Sequence, residues 1–188
     1  MTLFEYIAVA NSILLSFAVV RLLDALPPAF QSGRRDWTHL AFLVVLMWAC
    51  AQYWWVSWSY ATVSSWTYAK FLTYLTPPAL LYSLARTLSP DPNAVQSFRE
   101  YFDSTRRRFF ALLAAYVVVL LFGSWIIAGV PLSHPLRVGQ LVTVLAASSG
   151  VVVSNPRYHA VLAAFFLFAF GFLTLRIFAG EAPLPAPG

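Results

Sequence analysis

Charge is scarce in this 188-residue chain. Asp, Glu, Lys and Arg make up only 10 % of it, against about 25 % in a soluble domain. With 60 % hydrophobic residues and a mean hydropathy of +0.71, too few polar side chains remain to cover a water-facing globule. That excludes an ordinary soluble enzyme and a disordered chain. Cysteine is almost absent, and Cys50 alone cannot close an intramolecular disulfide or build a cysteine-rich metal site. Lysine is almost absent too: of twelve basic residues, eleven are arginine and one is Lys70. Catalytic signatures are missing. There is no GxSxG, P-loop or HExxH motif, and Glu5, Asp24, Asp36 and the loop acids are scattered rather than paired. Ser133 beside His134 is weak evidence for a nucleophile, because such sites are recognised by spatial geometry. The sequence therefore reads as a non-enzyme without cofactor or metal. His39 and His159 sit at matched depth, but too near the ends of their apolar runs for a buried haem.

What is present is apolar sequence in six long runs, which predicts an all-α polytopic membrane protein. The expected spans are about 3–26, 38–58, 66–88, 109–130, 136–154 and 158–179. The first lacks the basic n-region and cleavage site of a signal peptide and is expected to be retained. Pro27-Pro28 should end it. Pro77-Pro78 falls mid-span in the third. The loop after the third span carries turn chemistry in Ser89-Pro90-Asp91-Pro92-Asn93. Asn93 with Gln96 resembles a capping box. Val95, Phe98, Tyr101, Phe102 and Thr105 then recur at helical spacing, which predicts a short amphipathic interfacial helix between spans three and four. The proline-rich tail, 181–188, should be extended and disordered.

The pI of about 9.7 is read as topology rather than nucleic-acid binding. With the N-terminus outside, Arg21, Arg34, Arg35, Arg86, Arg99, Arg106, Arg107, Arg108 and Arg157 fall on the cytoplasmic side, and Lys70, Arg137 and Arg176 on the outer side. That bias predicts both termini on the non-cytoplasmic side of a plasma or bacterial-type inner membrane. Arg106-Arg107-Arg108 is a stop-transfer cluster and a candidate contact for anionic lipids of the cytoplasmic leaflet. Trp54, Trp55, Trp58, Tyr60, Trp66 and Tyr68 read as an interfacial belt, with an aromatic cage as the alternative.

Polar residues inside spans mark the candidate site. Glu5 and Lys70 lie at similar depth with opposite charge. Ser12 shares the Glu5 face, Thr73, Tyr74 and Pro77 share the Lys70 face, and Gln52 lies in span two. Asn11 is off the Glu5 face and reads as a separate packing contact. Pro77 and Pro78 should leave carbonyls near Tyr74 and Lys70 without partners, either at a kink or at a break of the kind found in transporters. Small residues in spans five and six (Ala146, Gly150, Ala160, Ala164) would let those helices approach each other or a second copy. Two functions follow: a small-solute or ion transporter with its site at Glu5, Ser12, Gln52, Lys70, Thr73, Tyr74, Pro77 and Pro78, or a non-catalytic accessory subunit or scaffold that binds a membrane-protein partner.

Overall fold

The computed structural model describes residues 3–31, 35–91 and 95–178, with side chains to residue 175. Six α-helices account for most of them: α1 (Leu3–Ala29), α2 (Trp37–Ser57), α3 (Tyr68–Leu88), α4 (Phe98–Ala128), α5 (Leu136–Val152) and α6 (Pro156–Phe178). A 3-10 turn, Trp58–Thr62, extends α2. No strand occurs among the described residues. Asn93, Arg34 and the tail 181–188 lie outside them.

Local chemistry sets the helix starts. The side chains of Asp36, Thr67 and Ser97 accept the backbone N–H of His39, Lys70 and Glu100 respectively, and so satisfy one free donor at each N-terminus. Gly129, with φ 67°, closes α4 in the left-handed conformation that glycine adopts without strain.

Three expectations are corrected. Pro27 and Pro28 do not end α1. They sit in its last turn, and the chain then leaves through bonds from the Phe30 N–H to the Pro27 carbonyl and from the Gln31 N–H to the Pro28 carbonyl. The separate interfacial helix does not exist. Its residues are the first turns of the 31-residue α4, because nothing between Thr105 and Phe109 breaks a helix. Phe98, Phe102, Arg106, Phe109 and Leu113 form one continuous buried seam, and Ser97, rather than Asn93, is the cap. Finally, Pro77 and Pro78 lie within an uninterrupted α3.

Four segments are long and apolar enough to cross a membrane: Leu3–Ala29, Trp37–Thr62, Phe98–Ala128 and Pro156–Leu175. At about 1.5 Å per residue each exceeds or matches a hydrocarbon core of about 30 Å. α5 is apolar but has 17 residues. α3 has the length, with 21 residues, but Lys70, Arg86, two prolines and the hydroxyls of Thr73, Thr76, Ser83 and Thr87 dilute its hydropathy. The apolar helices are compatible with an integral membrane protein.

The helices run alternately up and down. α2, α4 and α6 begin at one end, where side chains from their first turns reach the last carbonyls of α3 and α5. α3 packs between α1 and α4, α4 packs on α5, and α2 packs on α1 and α6 while touching α3 and α4. α5 and α6 touch only lightly. The small-residue pattern of α5 therefore serves α4: a methyl at Gly150 would lie 2.6 Å from the Phe110 ring. At the centre, the Phe42 ring meets Phe102, Phe109, Phe110 and Phe166 at 5.0–6.0 Å. In lipid, such close packing and hydrogen bonding hold helices together, because lipid chains are as apolar as the core.

Candidate functional site

The proline pair in α3 frees two carbonyls. Helical bonding runs from residue i to i−4, so Pro78 frees the Tyr74 carbonyl and Pro77 the Thr73 carbonyl, not that of Lys70. The Tyr53 hydroxyl of α2 donates to the Tyr74 carbonyl at 2.7 Å. The same hydroxyl also has Asn11 Oδ1 of α1 as an acceptor at 3.1 Å. With one proton to give, it favours the nearer acceptor, the Tyr74 carbonyl. Asn11, Tyr53 and Tyr74 are all buried. Three helices thus meet where the sequence suggested an open polar site.

The other candidate residues are not gathered there. Gln52 points the other way and donates to the Phe170 carbonyl at 2.8 Å and to the Thr174 hydroxyl, tying α2 to α6. Thr73 bonds back to the Ala69 carbonyl at 2.8 Å, and its methyl faces Gly123 of α4. Ser12 bonds back to the Ala8 carbonyl at 2.7 Å. Lys70 donates its ammonium to the Ser65 carbonyl at 3.0 Å, and Glu5 is exposed on the first turn of α1. Pro77 and Pro78 are buried.

The aromatic cluster divides in two. Trp54, Trp55, Trp58 and Tyr68 are exposed, as a belt requires. Tyr60, Trp66 and Phe4 instead pack around Tyr74 at 5.5–6.4 Å. A protein ring fills that enclosure, leaving it no room as a cage.

Arginines and histidines form a second system, at helix ends. The last carbonyls of a helix have no partner within it and carry its negative pole. Three helices serve the end of α3. Tyr101 of α4 donates to the Thr87 carbonyl at 2.9 Å, the His39 Nε2 of α2 bonds the Leu88 carbonyl at 2.8 Å, and Arg21 of α1 donates to the Ser89 carbonyl at 2.9 Å. The end of α5 is bound by Arg106, which donates to the Val153 carbonyl at 2.9 Å and reaches Gly150 and Val151. The His159 Nε2 joins it there at 2.9 Å. In both histidines Nε2 carries the proton and donates it, since a carbonyl only accepts.

Arg106 is 8 % exposed, whereas Arg107 and Arg108 are exposed. The triplet divides into one buried cap and two surface charges. Arg137 does the converse of Arg106. From the start of α5 it donates to the Leu121 and Val130 carbonyls at 2.9 Å, the Ser124 hydroxyl at 2.8 Å and Gln140 Oε1 at 2.9 Å. It is 5 % exposed. The two antiparallel helices α4 and α5 are therefore clamped at both ends by an arginine from the other.

Sequence reasoning assigned Asn11 to packing and missed Tyr53, Arg137 and the capping roles of His39, His159 and Arg21. An apolar groove of about 270 Å³ lies between α1 and α2, lined by Leu26, Val44, Met47, Trp48 and Ala51. No family model, curated protein or solved structure matches the chain.

Proposed function

We propose that this chain is a membrane-embedded, non-catalytic module: a six-helix bundle that crosses the bilayer with both termini on the non-cytoplasmic side and binds lipid and a membrane-protein partner through its apolar faces. One observation carries this reading. Gln52, Tyr53, Arg106 and Arg137 bond across to carbonyls and hydroxyls of neighbouring helices, and Tyr53 reaches the Tyr74 carbonyl that Pro78 frees. Transport would require Gln52, Lys70, Thr73 and Tyr74 to face a common wet path. They point to α6, to the Ser65 carbonyl, to α4 and into an aromatic enclosure respectively.

The surface supports the partner half of the reading. Tyr6, Val9, Ile13, Phe17 and Val20 make an exposed stripe along α1, and Val138, Leu141, Val142 and Leu145 a second along α5. Stripes of that kind suit lipid chains or another helix. Anionic lipids of the cytoplasmic leaflet would meet Arg107 and Arg108, which remain on the surface.

The test is flux in liposomes reconstituted with the purified chain, read by ion-sensitive dyes and by light scattering after osmotic challenge with small polar solutes. The expected result is leakage equal to that of protein-free vesicles. A saturable flux that Lys70→Ala or Gln52→Ala reduces, with folding retained, would restore the transporter.

A further inference from the structure

A second cavity, of about 200 Å³, opens at the end of the bundle where α2, α4 and α6 begin. Its lining is unlike that of the apolar groove. Asp36 comes from the start of α2, Arg99 and Asp103 from α4, and Arg157 from the start of α6, over a floor of Phe102 and His159. The charges balance, two acids against two arginines. None of the four is ion-paired with a described residue. Asp36 uses Oδ1 to cap the His39 N–H, which leaves Oδ2. His159 is held by the Val153 carbonyl and the Phe110 ring, so the floor is rigid.

Depth narrows the ligand. The apolar stretches of α2 and α6 begin at Leu40 and Val161, within about one turn of Asp36 and Arg157, and Phe109 opens the uncharged part of α4 just below Arg106–Arg108. On the membrane reading above, on which this inference rests, the cavity lies at headgroup level. An anionic headgroup would satisfy the arginines and leave two carboxylates facing it. A simple cation would do the reverse. A zwitterion satisfies both: its phosphate meets the guanidinium groups of Arg99 and Arg157, and its ammonium meets the carboxylates of Asp36 and Asp103. Carboxylates reward an ammonium that still carries N–H donors, which a trimethylated one has lost.

We propose that this cavity is a headgroup site for a zwitterionic phospholipid with a primary ammonium, namely a phosphoethanolamine headgroup. The four charges hold phosphate and amine, and the acyl chains lie outside the packed Phe42–Phe102–Phe166 core, in the surrounding bilayer.

The experiment is native mass spectrometry of the detergent-solubilised full chain, loaded with equal amounts of phosphatidylethanolamine, phosphatidylcholine and phosphatidylglycerol of matched chains. The wild type should retain phosphatidylethanolamine about tenfold over the other two, the selectivity of one charge-assisted hydrogen bond. Asp103→Asn and Arg157→Gln, both on exposed side chains, should each bring that ratio close to one, and Arg86→Gln, an exposed arginine of α3, should leave it unchanged. Glycerophosphoethanolamine, the same headgroup without chains, is added as competitor. If it binds as tightly as the whole lipid, the ligand is soluble and the lipid assignment is overturned. Equal retention of all three lipids by the wild type, or a preference that survives Asp103→Asn and Arg157→Gln together, would also overturn it. Co-flotation with liposomes is measured alongside: a chain that floats but shows no preference refutes this site alone, whereas one that does not float refutes the membrane reading too.

Discussion

The two ends of the bundle solve one problem by different chemistry. Where α2, α4 and α6 begin, the ends of α3 and α5 present bare carbonyls, and arginine, histidine and tyrosine from other helices bind them. At the opposite end the work falls, among the described residues, to aromatic rings around Tyr74 and to Arg137 at the end of α4. The first end uses many long polar side chains, each with one or two strong bonds. The second uses packing and one concentrated clamp. The lesson concerns basic residues at the ends of an apolar helix bundle. A buried one is first of all a donor for carbonyls that have no partner within their own helix.

The comparison can be broken most forcefully at Arg137. Arg137→Leu removes every donor of the clamp and leaves the Val130 carbonyl in a buried place. The loss should be about 3 kcal/mol, given that charged-donor bonds are each worth about 1.5–3 kcal/mol. Reversible unfolding in mixed micelles checks it. An unchanged midpoint would mean that water replaces the guanidinium at no cost. Next comes the arginine triplet. Arg106→Gln should lower stability by about 2 kcal/mol, because it strips the end of α5. Arg107→Gln should change it by less than about 0.5 kcal/mol, as surface substitutions do. Equal effects would return the triplet to a single electrostatic patch.

Much of this was legible beforehand, for physical reasons. Six apolar runs separated by turn residues produced six helices, since length and hydropathy decide that much. The errors fell where local rules gave way. Proline is a poor interior residue, but a final turn can hold it, as at Pro27 and Pro28. An interfacial helix and a following span merge if nothing stands between them. Arg106 could have been separated from its neighbours by counting: it is four residues past Phe102 and three before Phe109, on the buried seam. The meeting of Asn11, Tyr53 and Tyr74 could not. The proline pair announces that a donor is needed, but the donor comes from another helix, and helix-to-helix register is a property of packing.

That meeting also gives the most direct test. Tyr53→Phe removes the donor to the Tyr74 carbonyl, and Pro78→Ala restores the backbone N–H that would otherwise serve it. In the wild-type background Tyr53→Phe should cost about 1 kcal/mol, within the range of single bonds between membrane helices. In the Pro78→Ala background the cost should fall by most of that amount, a coupling measurable by a double-mutant cycle of unfolding free energies. If Tyr53→Phe costs the same whether or not Pro78 is present, the hydroxyl does not serve the carbonyl freed by proline, and the claim that α2 closes the site opened by Pro78 is contradicted.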